Sequence, residues 1–251
     1  AEHVGLLTEA VWWVDAAELT DAGDGLRDLS GNGRDAMFGA GAAAPLVLPW
    51  DGDDYLYIPN RSGAAGDTIT SASRSMPCDA MQVTIHGTIP LSLAGNRQFA
   101  QVGNIASNGW VLYTTTGGLV SQRYGAAKGL VTFVSAPSKQ WNRFTHTTAT
   151  GEVVWEESGD GEAWTVRSTG NHGTCVQNTL TTAYLGSASA AFSAGGTRYL
   201  AQFVLDGELV HEMNPANVTS DYTRIANTGT AGGDWIINRA ATGFKTAVVD
   251  R

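Results

Sequence analysis

Residues 81–89 read Met-Gln-Val-Thr-Ile-His-Gly-Thr-Ile, and this alternation constrains the fold more than any other feature of the chain. Met81, Val83, Ile85 and Ile89 fall on one side of an extended backbone, and Gln82, Thr84, His86 and Thr88 on the other. Successive side chains of a strand point to opposite faces, so a period of two marks a strand with one face on a core. Trp164-Thr165-Val166-Arg167 alternates in the same way. Tyr199 to Leu205 is apolar on both faces except at Gln202, which predicts a central strand covered on both sides.

Turn chemistry separates these runs. Asp-Gly occurs at Asp24-Gly25, Asp51-Gly52, Asp160-Gly161 and Asp206-Gly207, and the dipeptide supplies the positive φ angles of tight hairpins. Short strands with such turns between them predict an antiparallel sandwich or barrel. Amphipathic stretches long enough to serve as crossover helices are too few for a parallel α/β fold. One short helix is expected near the C-terminus: Asn214 would cap it, Pro215 would take its first position, and Val218, Tyr222 and Ile225 would share one face. Ser62 to Pro77 is Gly- and Ser-rich and reads as a long surface loop.

A chain of 251 residues, 43% apolar and 16% charged, is long enough for one all-β domain with a sizeable core. No linker and no internal repeat divides it. The net charge of −9 disfavours nucleic acid and anionic membrane as partners. The longest apolar stretch, Ala40 to Trp50, is interrupted by Pro45 and Pro49, so no bilayer insertion is expected. Cys78 and Cys175 make no disulfide framework and read as two buried thiols. Ala1-Glu2-His3 is not a signal peptide; a signal already removed and a missing initiator Met are both open.

Three segments, in order, resemble one family. The first is Asp28-Leu29-Ser30-Gly31-Asn32-Gly33 followed by Trp50-Asp51-Gly52-Asp53-Asp54-Tyr55. The second is Gln140-Trp141-Asn142-Arg143-Phe144 with Gly151 to Trp155. The third is Tyr184-Leu185-Gly186-Ser187 with Leu200 to Leu209. Together they resemble the concanavalin A-like, laminin-G-like jelly rolls, which implies a two-sheet antiparallel jelly-roll sandwich. Trp155 to Trp164 and Gly243 to Arg251 further resemble jelly-roll virion proteins of actinobacterial tailed phages, of the minor tail or minor capsid kind.

Glucanases of this fold carry a Glu-x-Asp-x-x-Glu strand whose alternate carboxylates face one groove, and that motif is absent here. Glu156, Glu157, Asp160 and Glu162 straddle two glycines and read as a solvated hairpin tip. Gly-x-Ser-x-Gly is missing, and His211-Glu212 is not followed by a second histidine at zinc-ligand spacing. No catalytic residues and no enzyme activity are therefore expected. No cofactor is expected either, calcium being the one candidate: the resemblance points to Asp51, Asp53 and Asp54, while Asp28 and Asp35 read as caps of their own turn. Of the tryptophans, Trp12, Trp141 and Trp155 are assigned to the core. Trp110, beside Asn108 and with Tyr113 near, is placed at a rim where it can stack on sugar.

The expected organisation is a jelly-roll domain over residues 1–227 and a C-terminal extension over residues 228–251 that packs on the domain or on a neighbouring subunit. Trp235, Ile236, Val248 and Val249 are its assembly candidates. The resemblance implies a non-enzymatic virion surface protein whose partners are other virion proteins or further copies of itself, with host glycan as a ligand. A secreted or cell-surface carbohydrate-binding module is the alternative, and a glycoside hydrolase the third reading.

Overall fold

Strands account for all the regular structure among the described residues, apart from one 3-10 turn at Ile105–Ser107. The computed structural model describes residues 14–19, 25–28, 36–37, 53–58, 68–73, 78–89, 96–115, 119–125, 128–133, 137–138, 140–176, 182–186, 196–238 and 247–249. They divide between two compact units, Ala1–Gly52 and Asp53–Arg251. The first holds a three-stranded antiparallel sheet in the order β1 (Val14–Leu19), β2 (Gly25–Asp28), β3 (Ala36–Met37).

The second unit runs through β4 (Tyr55–Ile58), β5 (Thr68–Thr70), β6 (Ala80–Gly87), β7 (Arg97–Val102), β8 (Trp110–Thr114), β9 (Val120–Tyr124) and β10 (Leu130–Thr132). There follow β11 (Trp141–Thr147), β12 (Glu152–Ser158), β13 (Thr165–Asn171), β14 (Ala183–Leu185), β15 (Gly196–Leu205) and β16 (Glu208–Val218). The last are β17 (Arg224–Asn227), β18 (Asp234–Asn238) and β19 (Ala247–Val249). One antiparallel path orders them β10-β9-β8-β7-β14-β5-β18-β17-β16-β15-β6-β11-β12-β13, and β4 bridges β15 and β19.

The path folds over so that its two halves face each other. Phe99 of β7 meets Phe144 of β11 at 5.6 Å between ring centroids, and Phe133, just beyond β10, meets Trp155 of β12 at the same distance. Where the ends approach, a Cβ on Gly170 of β13 would lie 2.1 Å from Val131 Cγ1 of β10. The second unit is thus an all-β antiparallel sandwich, as the alternation implies. Met81, Val83 and Ile85 are all buried, with Val83 in register with Phe144 on one side and Phe203 on the other. Each such side chain contributes roughly 1.5–3 kcal/mol by leaving water. Asp206 and Gly207, at φ 49° and 84°, make the β15–β16 hairpin turn expected of Asp-Gly.

Three expectations are corrected. No helix follows Asn214: β16 continues through Pro215 to Val218, and residues 219–223 turn into β17. The capping signal is a real local bond, since Asn214 Oδ1 accepts from Ala216 N at 3.0 Å. It sits in a bulge, because β16 advances from Met213 to Val218 while β17 moves only from Asn227 to Ile225. A bulge tolerates a proline that cannot donate to the ladder. Second, the segment 62–77 contains β5, whose Ile69 is fully buried. Third, β15 is central but has one half-exposed face. Within the stretch 228–251, β18 pairs with both β17 and β5. Trp235 is buried against Phe203 and donates its indole N–H to the Glu212 carbonyl, whereas Ile236 faces outward. β19 pairs with β4 in the same unit, and Val248 packs against the core; the side chain of Val249 lies outside the described residues.

Candidate functional site

The outer face of β16-β15-β6-β11-β12 carries the side chains that alternate away from the core. Strand register brings Glu212, Gln202, Thr84, Arg143 and Glu156 into one row across the five strands. A second row runs Val204, Gln82, Thr145, Val154. Most of these side chains are half-buried among their neighbours and Thr84 more deeply, so the face is lined by fixed groups rather than by mobile tips.

Hydrogen bonds hold the row in place. Arg143 donates from Nε and Nη2 to the two Glu156 oxygens at 2.7 and 2.9 Å. Its Cζ lies 4.2 Å from the centre of the half-exposed Trp164 ring. Gln202 donates to Glu212 Oε2 at 2.7 Å, Thr228 to Glu212 Oε1, and Gln82 to Thr145 at 3.3 Å.

An aromatic cluster borders the polar row. His86 stacks on Trp141 at 4.1 Å with planes 3° apart, Tyr199 tilts against His86 at 4.8 Å, and Tyr55 meets Tyr199 edge-on at 5.8 Å. Gly161 of the β12–β13 hairpin takes the other side of Trp141: a Cβ there would stand 3.0–3.1 Å from three ring carbons. Trp141 is therefore clamped between an imidazole and a turn. Asp160 shapes that turn by accepting from Glu162 N, Ala163 N and the Ser158 hydroxyl, and these bonds hold its carboxyl at about 2. Burial pushes the His86 imidazole below its ordinary value, opposed by a Gln140 hydrogen bond and by the charge of Asp53.

Two groupings that resemble catalytic machinery have other roles. Glu156 and Glu157 belong to β12 and not to the hairpin tip, a correction to the solvated-turn reading, and alternation sends them to opposite faces. Glu157 is buried and accepts from Ser138 N, the Ser138 hydroxyl and Arg167. Ser71, His211 and Asn227 line up as a Ser-His-Asn series, with Ser71 Oγ 3.3 Å from His211 Nε2 and Asn227 Nδ2 3.4 Å from His211 Nδ1. Asn227 is oriented by its other bonds: Oδ1 accepts from the Glu212 and Gly229 amides, and Nδ2 donates to the Gly232 carbonyl. Nδ1 therefore accepts, Nε2 carries the proton, and Ser71 passes its own to the Ala72 carbonyl. A general base for that serine needs the opposite tautomer.

A histidine also lies among the buried polar groups. His146 is fully buried, its ring 4.6 Å from Tyr124 and 5.8 Å from His172, and neither of its nitrogens has a partner among the described residues. His172 bonds Gln122, and Lys128 donates to the His172 and Thr174 carbonyls. Burial first, and the His172 charge second, push His146 down to about 3.

The candidates named from the sequence are dispersed. Trp110 is only 1% exposed and faces the core, which corrects its placement at a rim. Tyr113 is buried on the opposite face of β8, and Asn108 is half-buried at φ 64° after the 3-10 turn. Trp141, assigned to the core, lies on the outer face instead. Asp53 is exposed near His86 and Asp54 is half-buried; Asp51 lies outside the described residues, as do Trp12 and Asp35. Among the described residues no three His, Cys, Asp or Glu side chains are grouped to hold a metal ion. Cys78 and Cys175 are free buried thiols, and burial followed by the charges of Asp206 and Asp79 pushes Cys78 up to about 12.

No family model and no curated protein matches the sequence. Solved structures with a similar architecture include the native heptameric SAP-like pentraxin of Limulus polyphemus, 9% identical, with a TM-score of 0.42 over 60% of this chain and 75% of that one. The CBM40 module of the Ruminococcus gnavus IT-sialidase, bound to α2,3 sialyllactose, is 11% identical with a TM-score of 0.36 over 59% of this chain and 91% of its own. Domains LG4-5 of the mouse laminin α1 chain are 13% identical, with a TM-score of 0.38 over 68% and 47%. At these values none of them lends this chain a ligand or a partner.

Proposed function

We propose that this chain is a non-enzymatic, lectin-like binding module that takes glycan on the outer face of β16-β15-β6-β11-β12. The observation that carries the reading is the row of hydrogen-bonding side chains from Glu212 to Glu156, held rigidly on strands and bordered by Trp164 and the His86–Trp141 stack. Sugars are recognised by fixed donors and acceptors for their hydroxyls and by aromatic rings for their CH faces. The non-enzymatic part is supported by the row's two carboxylates. Four strand spacings of about 4.8 Å separate Glu156 from Glu212, about 19 Å in all, against the roughly 5–9.5 Å of paired glycosidase carboxylates.

The setting we propose is the surface of a tailed-phage particle, as a minor tail or capsid protein using the module for host adhesion. Its support is the sequence resemblance at Trp155–Trp164 and Gly243–Arg251. A secreted carbohydrate-binding module would use the same face. Binding is tested by a glycan array probed with the full chain and with Trp164→Ala and Gln202→Ala. Retention on some glycan that each substitution weakens about tenfold is expected. No retention on any glycan, or retention indifferent to both substitutions, refutes the reading. Peptides of this chain in purified particles would establish the virion setting, and their absence from particles made by cells that express it would remove it.

A further inference from the structure

The charges of the row bear on which glycan it takes, an inference that rests on the binding-module reading above. Arg143 is the one cation among the five residues of the row, and it is already engaged. Nε and Nη2 both point at Glu156, at 2.7 and 2.9 Å, and the flat side of the guanidinium covers Trp164 at 4.2 Å. An acidic sugar would be gripped through that same pair of parallel donors. The protein's own carboxylate occupies them. Arg167 is not part of the row: it bonds Glu157, which faces the other side of the sheet, at 3.0 Å.

The charge left over on the face is negative. Glu212 stands at one end of the row, and Asp53 lies near enough to His86 to favour its protonated form. The chain as a whole carries −9, which adds a longer-range repulsion of anions. Gln202, Thr84, Thr145 and Gln82 supply the uncharged donors and acceptors that hydroxyl and acetamido groups require.

We infer that the outer face selects neutral glycans over acidic ones, and that Glu156 enforces the selection by keeping the Arg143 fork closed. Glu156→Gln removes the competing charge while keeping size and shape. It leaves a half-exposed guanidinium stacked on Trp164 with an open donor pair.

The experiment is an array carrying neutral gluco-, manno-, galacto- and N-acetylglucosamine oligosaccharides beside sialylated, sulfated and uronic acid oligosaccharides. It is probed with the full wild-type chain and with Glu156→Gln, each first shown to be folded by its circular dichroism melt. Wild-type binding confined to the neutral set is expected, with a gain of about tenfold or more on acidic glycans in Glu156→Gln. Raising salt to about 0.5 M should leave wild-type binding in place and remove the acquired acidic binding, since screening acts on the charged contact. Wild-type preference for acidic glycans overturns this inference and leaves the binding-module reading standing. Binding to neither set overturns both. A folded Glu156→Gln with no gain on acidic glycans overturns the role of Glu156. Should that variant fail to fold, Arg143→Gln decides: it takes away the cation, so wild-type selectivity must persist in it, and a switch to acidic glycans refutes the inference.

Discussion

The buried histidine at position 146 makes stability depend on pH in a way that one substitution can isolate. His146 has no exposed surface and no hydrogen-bond partner among the described residues, and its imidazole is held down to about 3. An unfolded histidine titrates near 6.5. Because the folded value is the lower one, the unfolded chain binds the proton first. Stability is then complete above about pH 6.5 and is lost progressively as pH falls toward 3. At pH 5 the loss amounts to about 1.5 pH intervals at about 1.4 kcal/mol each, or about 2 kcal/mol. His86 and His172 are also pushed down by burial, so their losses run in the same direction. His146→Leu separates them, because it removes one titration and keeps the others. Burying an imidazole with no partners costs about 1–3 kcal/mol, so the variant should equal or exceed the wild type at pH 7.5. Its advantage should widen by about 2 kcal/mol at pH 5. Urea unfolding of both proteins at pH 7.5, 6 and 5 measures this directly. If the two lose stability in parallel over that range, His146 is not the buried neutral group described here and the reasoning fails.

Gly161→Ala places a side chain at φ 81° and within 3.1 Å of the Trp141 ring, so it should lower stability by about 1–2 kcal/mol and weaken glycan retention together. A melt equal to wild type would show that the turn does not clamp Trp141. Trp235→Ala empties a fully buried site and should cost about 3–5 kcal/mol in urea unfolding, and truncation before Trp235 should abolish the cooperative melt. A truncated chain that melts normally would return this segment to a role outside its own core. Cys78 and Cys175 should resist a disulfide reagent such as DTNB at pH 8 until denaturant is added, the Cys78 thiol being held near 12. Immediate reaction of both in the native protein would contradict their burial.

The core was legible in the sequence wherever alternation was clean. Met81, Val83 and Ile85 were placed inward from their spacing alone, and Asp206-Gly207 was placed at a hairpin. The outer face was legible in principle too. Trp141 and Phe144 lie three residues apart on one strand, and an odd spacing must send them to opposite faces, so a buried Phe144 puts Trp141 outside. Assigning Trp141 to the core overlooked that signal. Trp110 erred the other way: Asn108-Gly109 marks a turn, yet the strand that follows is apolar on both sides and wholly buried. The helix reading of Asn214-Pro215 failed because an Asx bond and a proline suit a bulged strand as well as a helix start, and only long-range pairing decides between them. The alignment of Thr84 and Gln202 with the Arg143–Glu156 pair depends on register between segments far apart in sequence, which no local pattern encodes.

Such register also governs when the fold can form. β18 fills the place between β17 and β5, joining Ile236 to Thr70, and β6 finds its central partner only in β15. Until residues 234–238 have been synthesised, β5 has no neighbour on that side and the indole that plugs this part of the core is missing. A nascent chain therefore carries an open sheet edge through most of its translation, and its folding is set by slow closure of long loops rather than by any early hairpin. Expression conditions that slow aggregation, such as low temperature or a holdase chaperone, should raise its soluble yield more than substitutions that strengthen individual turns.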